Sequence, residues 1–145
     1  MIMDWSLIRN FLKKEWVTDP SKIDITLVQR VDELATFVKQ EHGSKATCII
    51  HVAYEPAGHS IGSQHYFGRA VDLHFNKLSL MEQYLAAERF NFPGLGIYPY
   101  WQHPGLHLDI RELTSYKGAR WWRSKKGEYL NVNAQCVDLM LNGVA

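Results

Sequence analysis

Two short runs in this chain alternate with the period of a β-strand, and both carry ionisable side chains along one face. In residues 69 to 75, Val71, Leu73 and Phe75 are apolar, while Ala70, Asp72 and His74 share the other side. In residues 106 to 111, Leu106, Leu108 and Ile110 stand opposite His107, Asp109 and Arg111. Such strands need an apolar core beneath them and admit water or a ligand above them. Any fold of this chain must therefore contain a sheet with one packed face and one face open to chemistry.

The remaining elements follow from periodicity and punctuation. Trp5, Leu7, Ile8, Phe11 and Leu12 recur at helical spacing before Lys13 and Lys14, which predicts a short opening helix. Leu27, Val28, Val31, Leu34, Phe37 and Val38 mark one face of a longer helix that stops near Gly43. Ala46 to Tyr54 reads as a buried strand, and Pro56 to Gln64 as a loop. Ser79 caps a helix that runs to about Phe90, Pro93-Gly94 ends it, and Leu95 to Tyr98 forms a glycine-punctuated strand. Residues 119 to 132 predict a hairpin turning near Lys126-Gly127, and residues 133 to 141 a closing helix. Helices early and sequential strands late imply an α+β fold with an antiparallel sheet core flanked by helices.

The 145 residues fit a single domain spanning 1–145, and a 46% apolar share with 21% charged is ordinary for a globular protein. A net charge of +1 gives no global field to gather nucleic acid or an anionic membrane. The expectation is therefore no nucleic-acid partner and no membrane insertion; a monomer is expected as well. Cys48 and Cys136 are too few and too isolated for a disulfide framework and read as reduced, packed thiols. The first residues show no secretory signal, so the expected product is cytoplasmic as synthesised, an expectation that leaves room for later release as a phage or prophage lysin.

A catalytic zinc site takes three ligands from His, Asp, Glu or Cys and keeps one position open. His65, Asp72 and His107 could supply that set, with Asp72 and His107 on the polar faces of two strands and His65 in the loop before them. A His seven residues before an Asp is weak evidence alone. The composite Ser63-x-His65-x-x-Gly68-x-Ala70-x-Asp72, followed by Pro104-Gly105-x-His107-x-Asp109, is stronger, because small residues at 68 and 70 let backbone pass close to an ion.

In these motifs the chain resembles the zinc D-Ala-D-Ala carboxypeptidases and peptidoglycan L-Ala-D-Glu endopeptidases, a superfamily that includes phage lysins and relatives of the Hedgehog signalling domain. The resemblance spans roughly residues 25 to 132. It implies a Hedgehog/D-Ala-D-Ala-peptidase-like fold, a Zn2+ ion on His65, Asp72 and His107, and hydrolysis of a cell-wall peptide by an endolysin-like metallopeptidase. Two positions depart from the family pattern. The acidic base usually found three residues before the last His ligand is Pro104, and the Arg that usually closes a Ser-Gly-Tyr-Arg stretch corresponds to Glu55 in Val52-Ala53-Tyr54-Glu55.

Other residues are candidates for the missing roles. His103 could carry the proton that peptide hydrolysis must move, with Glu55 as another candidate, and Asp109 fits the orientation of a ligand imidazole. Arg69 and Arg111 could replace the lost arginine in gripping a substrate carboxylate, with Tyr98 and Trp101 among the aromatic residues that could wall the cleft. The opposing reading is a non-catalytic zinc-containing binding module, which Pro104 and Glu55 favour. A third, glycan or nucleic-acid binding through Arg120-Trp121-Trp122-Arg123, is explained more simply by a hairpin with one packed face.

Overall fold

The N-terminal segment folds differently from the helix its periodicity predicts. Two 3-10 turns, Trp5–Leu7 and Lys13–Trp16, replace it. The cause is Asp32, a buried carboxylate on the following helix, which accepts the backbone N–H groups of Arg9 at 3.1 Å and Asn10 at 2.9 Å. Amides taken by a distant carboxylate cannot join an i to i−4 ladder, so the apolar side chains Phe11 and Trp16 reach the core from an irregular segment.

The computed structural model describes residues 2–113 and 118–144. Helix α1 spans Ile25–His42, capped by Asp24 and ended at Gly43, and it buries Leu27, Val28, Val31, Leu34, Ala35 and Val38. Helix α2, Leu80–Glu88, begins with a capping box in which the Ser79 hydroxyl accepts the Glu82 N–H and the Glu82 carboxylate accepts the Ser79 N–H. Helix α3, Ala134–Asn142, is capped by Asn133. The strands are β1 Cys48–Val52, β2 Ala70–Phe75, β3 Gly94–Tyr98, β4 Gly105–Asp109, β5 Ala119–Arg123 and β6 Tyr129–Leu130. Among the described residues no helix is long and apolar enough to cross a membrane. Cys48 and Cys136 are both free and buried.

The fold is α+β with a six-stranded sheet in the order β1-β2-β4-β3-β5-β6. The all-antiparallel sheet expected from the sequence is corrected by one pair, because β5 runs parallel to β3. The geometry of the β3-β4 hairpin explains this. Strand β4 ends at Asp109 opposite Gly94, where β3 begins, and its far edge is already paired with β2. Ala119 enters the sheet beside Gly94, and β5 then proceeds alongside β3 in the same direction. The predicted hairpin of β5 and β6 forms, with Gly127 at positive φ in its turn.

Alternation decides what each face does. Val71, Leu73, Phe75, Leu95, Ile97, Leu106, Leu108 and Trp122 join the buried residues of the helices in one core cluster. The opposite face carries a single row across five strands, Val52, Asp72, His107, Gly96 and Trp121, paired in register. Neighbouring strands lie about 4.8 Å apart, so Asp72 and His107, 35 positions apart in the chain, become adjacent side chains.

Candidate metal centre

His65 joins this row from a 3-10 turn, Gln64–Phe67. The Ser63 hydroxyl accepts the His65 N–H at 3.3 Å and starts the turn, and Gly68 ends it in the left-handed region at φ 66°. A Cβ at Gly68 would sit 1.9 Å from the Lys22 carbonyl oxygen, so both the conformation and the close approach require glycine there. Two of the small-residue and hydroxyl positions in the composite motif thus have a local structural purpose, which is to aim the His65 ring.

The three side chains converge. Asp72 Oδ1 lies 3.3 Å from His65 Nε2 and 3.0 Å from His107 Nδ1. One ligand atom from each of His65, Asp72 and His107 falls within 4.8 Å of the others, so the group could hold a metal ion. His65 is 2% exposed and His107 7%. The far nitrogen of each ring is tied off. His65 Nδ1–H donates to the Ala53 carbonyl at 2.7 Å, leaving Nε2 aimed at Asp72. His107 Nε2–H donates to Asp109 Oδ2 at 2.7 Å, leaving Nδ1 to face the same point. Fixing the outer nitrogen of a ligand imidazole is what sets its tautomer for coordination.

Asp109 is fully buried and in turn accepts two bonds from the Arg111 guanidinium, at 2.8 Å from Nε and 2.6 Å from the terminal nitrogen. Burial alone would raise its carboxyl, but the bonds from Arg111 and then His107 hold it well below the ordinary range. Asp72 behaves likewise: burial opposes ionisation, and the bonds from His107 and His65 overcome it and lower its pKa. For His107, burial disfavours the charged ring, yet Asp109 and Asp72 together push it up to about 9.

Strand β3 makes room for this charge. A Cβ on Gly94 would meet the Asp109 carboxylate at 2.1 to 2.3 Å, and one on Gly96 would meet the Trp121 indole at 2.6 Å. The two glycines that punctuate β3 therefore mark the strand over which the site is laid. Gly96→Ala is expected to cost about 1–3 kcal/mol through overpacking against Trp121, read as a lower midpoint in urea unfolding at unchanged slope.

The triad lies in a cleft of about 800 Å³ whose wall includes the loop 58–64, Tyr98, Arg111, Trp121, Arg123 and Tyr129. Trp121 lies against His107 with ring centroids 5.2 Å apart, and its Nε1–H donates to the Tyr98 hydroxyl at 3.3 Å. The Arg111 guanidinium sits 5.1 Å over the Trp121 ring.

The structure sorts the remaining sequence candidates. Asp109 contacts His107, and Tyr98 and Arg111 line the cleft, with Arg111 already committed to Asp109. Trp101 stacks on Tyr98 at 4.2 Å and faces an adjoining hollow of about 320 Å³. His103 is exposed and belongs to that hollow, stacked on His74 at 4.9 Å, with Asp72 as the shared wall between the two spaces. The expectation for Arg69 is corrected: its guanidinium donates to the Ile110 carbonyl at 2.8 Å and does not line the cleft. Position 69 falls on the opposite phase of the alternation from Asp72, which turns it away. Glu55 is likewise absent from the cleft wall.

Three residues outside the peptidase site expected from the sequence enter the cleft. His59 stacks on His65 with centroids 4.3 Å apart, and its backbone N–H donates to the Tyr66 hydroxyl at 2.8 Å. Burial, followed by the nearby His65, holds the His59 ring below the ordinary imidazole range. Trp121 and Arg123 share the exposed phase of β5 while Trp122, fully buried, takes the core phase. Alternation in β5 was a visible signal for that pair, but only the pairing with β3 shows which face meets His107. Neither family profiles nor the curated proteins yield a match to this chain.

Proposed function

We propose that this chain is a zinc metallopeptidase that hydrolyses a peptidoglycan peptide or a D-Ala-D-Ala-type bond, with the Hedgehog/D-Ala-D-Ala-peptidase type of fold. The carrying observation is the convergence of His65 Nε2, Asp72 Oδ1 and His107 Nδ1, each ring tied off on its far side. Two imidazoles and one carboxylate with a cleft in front of them suit catalytic zinc. Bound there, zinc would supply Lewis acidity, polarising a peptide carbonyl and making water a competent nucleophile near neutral pH.

The chain's own residues supply the rest. His65, Asp72 and His107 hold the ion, and Asp109 with Arg111 keeps His107 in the coordinating tautomer. His59 is the imidazole that shares the cleft with the triad, and it takes a proton at a ring nitrogen from the attacking water and returns it to the leaving amine. This role moves from His103, which opens on the adjoining hollow. Tyr98 and Trp121 form an aromatic wall that orients the peptide and limits water beside His107.

Turnover of a D-Ala-D-Ala peptide and of purified peptidoglycan, abolished by a chelator and restored by zinc, is the expected result. Asp109→Asn keeps an acceptor for His107 but removes its charge, and is expected to weaken zinc binding about 10- to 100-fold in competition with a chelating dye. The second reading, a non-catalytic zinc-containing module, is favoured by Pro104, whose carbonyl merely accepts the Gln83 side-chain amide at 3.2 Å. Stoichiometric zinc without turnover of either substrate would select it.

A further inference from the structure

We infer that Arg123 is the anchor for a free carboxylate, so that the cleft takes the C-terminal end of a peptide and not an internal segment. The inference rests on the hydrolase reading for its meaning, but the binding it describes does not depend on turnover.

The first ground is which cation in the cleft is uncommitted. Arg111 spends Nε and a terminal nitrogen on the two oxygens of Asp109. Arg120, on the core phase of β5, is bonded to Glu88 at 2.6 Å. Arg123 lines the cleft, and among the described residues no carboxylate lies within ion-pair distance of it. Its guanidinium is held in place without being neutralised. It sits 4.1 Å over the Tyr129 ring, on the residue paired with it in β6, and 3.2 Å from where a Gly127 Cβ would stand. A planar guanidinium resting on an aromatic face keeps its in-plane donors directed outward, which is the presentation a carboxylate grips with two parallel bonds.

The second ground is position. Trp121 and Arg123 are two residues apart on one strand, hence on one face and about 7 Å apart along it. Trp121 touches His107, so Arg123 stands one step further along the same wall from the triad. That separation suits a group about one amino-acid residue beyond a bond held at the triad.

The third ground is charge. Arg111 and Asp109 cancel each other, and Asp72 offsets only half of a divalent ion. Arg123 then adds a further positive charge, so the loaded cleft carries an excess that an anionic ligand end would balance.

The test uses a ketomethylene analogue of N-acetyl-D-Ala-D-Ala, which cannot be hydrolysed, made with a free C-terminal acid and as the carboxamide. Affinities are measured by calorimetry on zinc-loaded wild type, Arg123→Gln and Arg123→Lys, with zinc content and circular dichroism confirming that each variant is folded and loaded. The acid is expected to bind wild type at least about tenfold tighter than the amide, with a ratio near one in Arg123→Gln and an intermediate ratio in Arg123→Lys. Equal affinities in wild type, or a preference that survives in Arg123→Gln, would overturn the assignment. A preference that tracks Arg123 in a protein that hydrolyses nothing would sink the hydrolase reading alone. Turnover of internal bonds with no carboxylate preference would sink the anchor alone.

Discussion

Replacing His59 by Ala is expected to lower turnover of a D-Ala-D-Ala peptide by about 10²- to 10⁴-fold while zinc stays bound, the range by which a positioned proton carrier ordinarily contributes. The expectation comes from placement. Pro104, three residues before His107, has no ionisable group, and Glu55 is outside the cleft. Among the imidazoles near the triad, His59 faces the same cleft as Trp121 and Arg123, against His65. His103 faces the adjoining hollow with His51 and stacks on His74. His103→Ala is therefore expected to change turnover by less than about tenfold. Because His59 stacks on a ligand ring, zinc content is measured for each variant, and a loss of activity that merely follows loss of zinc would count against a proton-transfer role. The reverse ranking of the two variants would return that role to His103.

Zinc affinity is expected to weaken about tenfold for each pH unit below about 9, the value to which His107 is raised. In the metal-free protein His107 is an imidazolium between two carboxylates, donating from Nδ1 to Asp72 and from Nε2 to Asp109. An ion entering at Nδ1 must displace that proton. Calorimetry at pH 7 in buffers of different ionisation enthalpy should show about one proton released per zinc through His107, and affinity should fall more than about 100-fold between pH 9 and 6.5. The metal-free protein should show the opposite slope. A group whose folded pKa lies above its ordinary value of 6.5 stabilises the fold fully below that value and loses the contribution as pH rises through about 9. Its melting temperature should therefore drop across that window, whereas zinc-loaded protein should gain. A zinc affinity independent of pH over the same range would contradict the ion-pair arrangement.

Much of the site was legible because period-two alternation is a strong constraint. Once residues 70–75 and 105–109 are strands with one apolar phase, Asp72 and His107 must share the other face, and pairing the two strands makes them neighbours. The turn holding His65 was not read: Ser63 and Gly68 counted only as parts of a motif, with Gly68 as room for backbone to pass an ion, whereas they cap and end that turn. What could not be read were features set by partners distant in sequence. Nothing near Trp5 or Phe11 announces that Asp32 will capture two backbone amides and break a helix. Nothing in β5 states that it will run parallel to β3, and that pairing is what brings Trp121 over Gly96 and Arg123 into the cleft. Arg69 and Arg111 looked equivalent as substrate residues, yet one bonds the Ile110 carbonyl and the other Asp109. Side chains in a loop, such as His59, carry no periodicity from which a direction could be inferred.

Anomalous diffraction at the zinc edge, from crystals grown with zinc near pH 8.5, bears most directly on the three-ligand site. A single peak bonded to His65 Nε2, Asp72 Oδ1 and His107 Nδ1, with the cleft and no fourth protein donor on its open side, is the predicted result. A peak held instead by the His51, His74 and His103 group, or one closed by a fourth side chain, would contradict it.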